Sequence, residues 1–126
     1  MKELTKAEEQ VMQYIWRLER AFLKDVVDEF PDPKPASTTV LTLLKRMIDK
    51  GFVSYKVYGN SREYFPLVKK ADYFSDHLNV LIKDFFNDST AQFASFFTNE
   101  TDMSSEELKE LRDLVDRQIA LKKTNK

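Results

Sequence analysis

The chain has 126 residues, 42% hydrophobic and 33% charged, which is typical of one globular domain or a small domain with an appendage. It contains no cysteine, which excludes disulfides and thiolate metal sites, and its single histidine has no second histidine with which to build a transition-metal site. Its two isolated glycines exclude a glycine-rich phosphate loop, so we expect no cofactor and no enzymatic activity.

The distribution of charge is more informative than the net charge of −1. Residues 1–70 hold 13 Lys and Arg against 10 Asp and Glu, a net of +3, whereas residues 71–126 hold 7 against 11, a net of −4. The first half is therefore better suited to a polyanion. No apolar run approaches the roughly 20 residues of a membrane span, and the first ten residues lack the apolar stretch of a secretory signal. We expect a cytoplasmic protein without membrane insertion.

Two helices are predicted within the first thirty residues. Thr5 and Glu8 have the spacing of a capping box, which starts a helix that runs to about Arg20. Three prolines at positions 31, 33 and 35 end the second helix and stiffen the connection that follows. The first helix has its apolar stripe at Ala7, Val11, Ile15 and Leu18, with Met12 and Trp16 beside it, and the second at Phe22, Val26, Val27 and Phe30.

A third helix and a hairpin occupy residues 35–67. Ser37 is the predicted N-cap of the helix, and Lys50 and Gly51 are predicted to end it, since glycine can adopt the left-handed conformation after a helix. Residues 52–58 and 63–65 are β-prone, with turn residues at 59–61 between them. Three helices followed by a hairpin form the winged variant of the helix-turn-helix. The buried face of the third helix is predicted at Val40, Leu43, Leu44, Met47 and Ile48.

The exposed side of the third helix suits the major groove of DNA. Short hydroxyl side chains and one leucine come first, and basic residues follow. Such groups can read base edges, contact thymine methyl groups and bind phosphates, while cations near the hairpin turn can reach the backbone. The predicted DNA-contacting residues are Thr38, Thr39, Leu41, Thr42, Lys45, Arg46, Lys56 and Arg62. The alternative is a winged-helix module that binds a protein and no DNA.

Three further helices are predicted after residue 69. The first, from about Lys70 to Phe86, has a heptad-like seam that includes Phe74; the second ends before a polar break at residues 98–102; and the third begins with a capping box at residues 104–107. These helices carry more aromatic side chains than they can bury alone. Six phenylalanines fall in this part of the chain, so we expect a homodimer built from these helices; packing onto residues 1–66 of the same chain is the alternative. We therefore predict a mostly α fold with a small β-hairpin, in which residues 1–68 form a winged helix-turn-helix DNA-binding domain and residues 69–126 a helical dimerisation domain. The predicted dimerisation residues are Phe74, Leu78, Leu81, Phe85, Phe93, Phe96, Leu108, Leu111 and Val115.

Several runs of sequence resemble the BlaI/MecI/CopY family of penicillinase-type transcriptional repressors. The run from Thr39 to Phe52 reads T-x-x-T-L-L-x-R-x-x-x-K-G-F, and a late S-x-x-E-x-x-E-L run begins at Ser104. The opening residues 4–8 with Trp16 and the hairpin residues 59–68 match as well, so the resemblance covers nearly the whole chain. On this resemblance Thr39, Thr42 and Arg46 match recognition-helix positions of the family, whereas Leu41 stands where some relatives carry arginine.

The resemblance implies a homodimer that binds double-stranded operator DNA at a palindrome and represses β-lactamase, resistance or stress genes. It also implies a membrane-bound sensor protease as a partner, whose signal leads to cleavage of the repressor between its C-terminal helices. The family cut lies at an Asn-Phe bond, and the aligned pair here is Phe96-Phe97, so cleavage at this point is a hypothesis. Cutting the dimerisation helices would weaken dimerisation and remove half of the operator contacts.

Overall fold

The computed structural model describes residues 3–124, which form six helices and one three-stranded antiparallel sheet. No helix within these residues is both long and apolar enough to cross a lipid bilayer. In chain order the elements are α1 (Lys6–Leu18), β1 (Ala21–Phe22), α2 (Leu23–Glu29), α3 (Ser37–Asp49), β2 (Val53–Tyr58), β3 (Ser61–Pro66), α4 (Lys70–Phe85), α5 (Thr90–Glu100) and α6 (Ser105–Thr124). The predicted fold class, mostly α with a small hairpin, is confirmed.

The described residues divide into two compact units, and the boundary falls inside α4. The first unit extends to Asp76 and the second begins at His77. The division by function between residues 68 and 69 stays a prediction.

Helix α1 begins with the predicted capping box. The backbone N–H of Glu8 donates to Oγ1 of Thr5 at 3.2 Å, and the N–H of Thr5 donates to Oε1 of Glu8 at 2.8 Å. The prediction that Ala7 belongs to the buried stripe is wrong, because Ala7 is exposed while the neighbouring Glu8 is fully buried. The capping box turns the Glu8 side chain back toward the helix start, so that a carboxylate occupies the place expected for an apolar group.

Helix α3 begins one residue earlier than predicted. Ser37 is its first residue and not its N-cap, because the backbone carbonyl of Ala36 already accepts from the N–H groups of Thr39 and Val40. The predicted end is confirmed, since Lys50 is the C-cap and Gly51 has a φ of +84°. The face turned inward is the predicted one, with Val40, Leu44 and Met47 fully buried and Leu43 and Ile48 partly buried.

The sheet contains the predicted hairpin and one strand that the pattern did not indicate. The strand order is β1-β3-β2, and the two-residue β1 pairs with β3 through Ala21 opposite Tyr64 and Phe22 opposite Glu63. The hairpin turn has two residues, Gly59 and Asn60, and not three, since Ser61 already pairs with Tyr58. Gly59 has a φ of +60°, which glycine adopts without strain.

A single core holds the first unit together. It combines the inner faces of α1, α2 and α3 with the sheet and with Tyr73 from the first turn of α4. Tyr73 is only 2% exposed, and its ring lies 5.5 Å from that of Trp16 and 5.8 Å from that of Phe52, measured between ring centres. Its hydroxyl donates to Oε2 of Glu9 at 2.6 Å. The heptad-like pattern of α4 indicated Phe74 and not this tyrosine.

The C-terminal helices end and begin largely as predicted. Asn87 and Asp88, both with positive φ, separate α4 from α5, and Ser89 caps α5 by accepting from the N–H of Gln92. The polar break expected from residue 98 begins later, because α5 continues to Glu100. The second predicted capping box is confirmed: the N–H of Glu107 donates to the hydroxyl of Ser104, and the N–H of Ser104 donates to the Glu107 carboxylate. These hydrogen bonds hold the pKa of Glu107 below its usual value.

Candidate nucleic-acid interface

The outer side of α3 presents the predicted DNA-contacting residues to solvent. Thr38, Thr39, Thr42, Lys45 and Arg46 are all exposed. The remaining predicted residue of this helix, Leu41, is half-buried. Because the opposite side of the helix is fixed in the core, these side chains are held on a rigid element, as a recognition surface requires.

The hydroxyl of Thr42 is tied to its own helix. Its Oγ1 donates to the backbone carbonyl of Thr38 at 2.9 Å. In this arrangement the hydroxyl proton points to the helix backbone, and Thr42 presents the oxygen lone pairs and the methyl group to solvent. The sequence alone showed a polar residue at this position, but it did not indicate this hydrogen bond.

The two predicted hairpin cations lie on opposite faces of the sheet. Lys56 stands opposite Glu63, and in the next pair Val57 stands opposite Arg62. Since successive side chains of a strand point to opposite faces, Lys56 and Arg62 diverge. The buried Tyr64 lies two residues from Arg62, so Arg62 is on the face turned toward the helices. The structure therefore places only one of the two cations on the same side as α3.

Arg62 is held in place by an aromatic ring. Its guanidinium carbon lies 4.4 Å from the centre of the Tyr55 ring, a cation–π contact. Lys56, on the other face, stands opposite Glu63, whose carboxylate also lies 4.0 Å from the guanidinium of Arg20. The helix-facing side of the hairpin is thus more positive than the outer side.

A groove of about 610 Å³ runs between α3, the start of α2 and the hairpin turn. Its walls are largely apolar, three cations border it, and none of the described residues that line it is acidic. Lys24 in α2 is a cation that sequence reasoning missed, because its position beside the hairpin depends on the packing of α2 against α3. The apolar walls include Phe22, Leu23 and Leu41, and the cations are Lys24, Lys45 and Arg62.

The end of α3 is joined to the start of α1 by a partly buried ion pair, in which Glu8 is fully buried and the Lys50 side chain is 23% exposed. Nζ of Lys50 lies 2.6 Å from Oε1 of Glu8 and also donates to the backbone carbonyl of Glu3 at 3.0 Å. Burial by itself raises the pKa of Glu8, but the hydrogen bonds from Lys50 and from the N–H of Thr5, with the charge of Lys50, outweigh it and lower the pKa. This contact fixes α3 at the end away from its hydroxyl-rich start.

The predicted dimerisation residues are mainly exposed. Among residues 77–124 only Ile82 is buried, and the twenty-residue α6 has no buried residue. Phe85 is 75% exposed and Val115 is 50% exposed. Phe93 and Leu111 are half-buried, whereas Phe74, Leu78, Leu81, Phe96 and Leu108 are exposed. That a second chain covers these side chains stays a prediction.

The Phe96-Phe97 bond lies inside α5 and not in a connecting loop. Both side chains are exposed, and the Phe97 ring stacks on the Phe93 ring with a centre-to-centre distance of 6.0 Å. A protease that requires an extended backbone would have to open this helix first.

The chain is similar in sequence to known regulatory proteins over most of its length. The model of the family described as "Penicillinase repressor" matches residues 4–117. The methicillin resistance regulatory protein MecI of Staphylococcus aureus strain N315 is 28% identical over 120 residues, which cover 91% of this chain and 94% of that protein. The penicillinase repressor of Bacillus licheniformis is 25% identical over 115 residues, covering 90% of each.

Two solved structures support the same fold. The solution structure of the DNA binding domain of the repressor BlaI superposes with a TM-score of 0.50 at 28% identity, covering 58% of this chain and 94% of that one. A crystal structure of a mutant MarR from E. coli superposes with a TM-score of 0.50 at 12% identity, covering 93% of this chain and 79% of that one. The second likeness concerns the fold alone.

Proposed function

This chain belongs to the penicillinase repressor family, and from that premise we propose that it is a DNA-binding transcriptional repressor that acts as a homodimer on a palindromic operator. The observation that carries the proposal is the exposed side of α3. There, uncharged side chains suited to reading bases precede cations suited to binding phosphates, on a helix whose other side packs in the core.

The groove supports the placement of α3 in a major groove. A winged helix that inserts one helix there and extends its hairpin toward the next groove must receive one sugar–phosphate strand between the two elements. The groove between α3 and the hairpin is bordered by Lys24, Lys45 and Arg62 and by no described carboxylate, which suits a phosphate strand.

Exposed apolar side chains on the C-terminal helices support the homodimer. Within residues 3–124, α6 has no buried residue, and an amphipathic helix with an exposed apolar stripe is suited to pairing with a partner. Its members include Leu108, Val115 and Ile119, all exposed. A twofold dimer also matches the symmetry of a palindrome, since each protomer places one α3 in one half-site.

Family membership supports β-lactamase, resistance or stress genes as the regulated genes, and inactivation through a membrane-bound sensor protease. Cleavage at Phe96-Phe97 would separate α6 from the winged-helix unit and lower operator affinity by weakening dimerisation. This bond lacks the asparagine of the family cut and lies within a helix, so cleavage here is a separate hypothesis that needs its own test. Incubating the protein with induced membranes from its host and mapping the fragments by mass spectrometry gives the cut directly.

Fluorescence anisotropy with the promoter fragment upstream of the protein's own gene tests the proposal, using scrambled DNA as competitor. We expect tight binding that the scrambled competitor does not displace. Equal binding to both DNAs would indicate a generic nucleic-acid binder. Absence of binding would favour the winged-helix module that binds a protein and no DNA.

A further inference from the structure

The first two turns of α3 contain no charged residue. From Ser37 to Leu44 every side chain is either a hydroxyl or aliphatic, and the first charge is that of Lys45. The N-terminal turns of a recognition helix are the part that approaches base edges most closely. The groups available there for reading bases are therefore hydroxyl groups, methyl groups and the side chain of Leu41.

The hydroxyl proton of Thr42 is engaged within α3. The hydroxyl donates to the carbonyl of Thr38 at 2.9 Å, which also fixes the rotation of the side chain, while the residue itself stays exposed. Guanine offers only acceptors, O6 and N7, in the major groove, so donating to them would require the Thr42 hydroxyl to give up its bond to the Thr38 carbonyl.

We propose that Thr42 recognises thymine through its C5 methyl group, so that the base pair facing Thr42 in each half-site is an A·T pair. The inference rests on the proposed operator binding and specifies which base chemistry that site selects. Methyl–methyl contact excludes water from both groups, and one buried methyl group corresponds to roughly fourfold in affinity for each half-site.

The Thr42 side chain has a second possible mode of base recognition. The lone pairs of the Thr42 hydroxyl can accept from N4 of cytosine or N6 of adenine, and this mode depends on the oxygen and not on the methyl group. Two variants of nearly equal size separate the two modes. Thr42→Val keeps a methyl group and removes the oxygen, whereas Thr42→Ser keeps the oxygen and removes the methyl group.

The experiment measures anisotropy of the full-length protein on its operator, once that DNA has been identified by the promoter titration. We expect Thr42→Val to bind as the parent protein does, and Thr42→Ser to lose roughly fourfold for each half-site. Thr98 provides a matched control, because its hydroxyl makes the same bond to the carbonyl four residues earlier, Ala94, at 2.9 Å, but lies in α5. Thr98→Ser is expected to leave operator affinity unchanged. Loss with Thr42→Val and retention with Thr42→Ser would overturn the proposal in favour of acceptor reading.

The same question can be asked from the DNA side with unchanged protein. Replacing each operator thymidine in turn by deoxyuridine removes only the C5 methyl group. We expect the affinity to fall at one or two symmetric positions, and the Thr42→Ser protein to be insensitive to the replacement there. If the parent protein binds the operator tightly and no deoxyuridine position matters, methyl reading is wrong while the repressor function stands. If the parent protein binds no operator at all, the proposed function fails, and this inference fails with it.

Discussion

The ammonium of Lys50, at the end of α3, lies 2.6 Å from Oε1 of Glu8, a carboxylate in α1 with no exposed surface. The second oxygen, Oε2, is buried without a hydrogen-bond partner among the described residues. Lys50 is therefore the cation that compensates the charge of the Glu8 carboxylate. The ion pair joins the proposed recognition helix, α3, to the first helix of the chain, α1. Removing one partner of a buried pair is more damaging than replacing both, because the remaining charge is left uncompensated.

Substituting the cation of this pair is expected to destabilise the fold strongly. Lys50→Met should lower the free energy of unfolding by about 2 kcal/mol, since the buried Glu8 carboxylate loses its cation and keeps only the hydrogen bond from the N–H of Thr5. Urea denaturation followed by circular dichroism measures the change. Lys109→Met is the matched control, because Lys109 pairs with Glu106 on the surface of α6 at 3.8 Å and should contribute less than about 0.5 kcal/mol. Equal effects of the two substitutions would contradict the role given to Lys50.

Acid is expected to weaken the fold through Glu8. Its pKa is lowered in the folded state, so folding favours the ionised form. The stabilisation is complete above the unfolded-state pKa of about 4.5 and is lost as the pH falls through the lower folded-state value. The unfolding free energy of the parent protein should therefore drop more steeply between about pH 5 and pH 3 than that of Glu8→Gln. Parallel pH profiles of the two proteins would show that another group is responsible.

The two hairpin cations are expected to differ in their effect on operator binding. Arg62 borders the groove with Lys24, whereas Lys56 points to the other face and stands opposite Glu63. Arg62→Gln and Lys24→Gln should each weaken binding to every DNA sequence roughly tenfold, about 1.4 kcal/mol, because they remove phosphate contacts. Each should also reduce the slope of log affinity against log salt by about 0.9 per protomer.

Lys56→Gln serves as the comparison for those two variants, since it removes the same charge from the same hairpin. Its effect on affinity and on the salt slope should be small. Anisotropy titrations at several salt concentrations measure both quantities. If Lys56→Gln lowered affinity as much as Arg62→Gln, the phosphate strand would not lie in the groove between α3 and the hairpin.

A charge placed in the apolar stripe of α6 is expected to prevent dimerisation. Val115→Asp should be monomeric in sedimentation velocity at concentrations where the parent protein is a dimer, because burying an unpaired carboxylate at an interface is costly. Ala120→Asp adds the same charge to another side of the same helix and should remain dimeric. If the parent protein itself stayed monomeric throughout the concentration range, the proposed homodimer, and with it the twofold operator complex, would be contradicted.

Features that depend on neighbouring residues were predictable from the sequence. The capping boxes at Thr5 and at Ser104 formed as expected, and so did the end of α3 at Gly51, because each depends on side chains within a few residues of the backbone that they satisfy. The buried face of α3 was predictable for the same reason, since its apolar residues recur along the sequence with the 3.6-residue period of a helix.

Features that depend on distant residues were not predictable. Strand β1 has two residues and exists only through pairing with β3, more than forty residues later along the chain (Ala21 opposite Tyr64). The opposite directions of Lys56 and Arg62 follow from a two-residue turn, and a three-residue turn would have changed the register. Likewise, nothing near Glu8 indicated that Lys50 would pair with it, and nothing near Lys24 placed it on the groove.

The most direct test of operator binding by a dimer is a stoichiometric titration of the operator fragment with the full-length protein, at 50 and 200 mM salt. We predict saturation at two protomers per operator, and a loss of roughly 10³–10⁵ in affinity between about 50 and 200 mM salt if the dimer contacts about 6–10 phosphates. Saturation at one protomer, or an affinity that salt leaves unchanged, would contradict a dimer that holds two half-sites through α3 and the groove beside it.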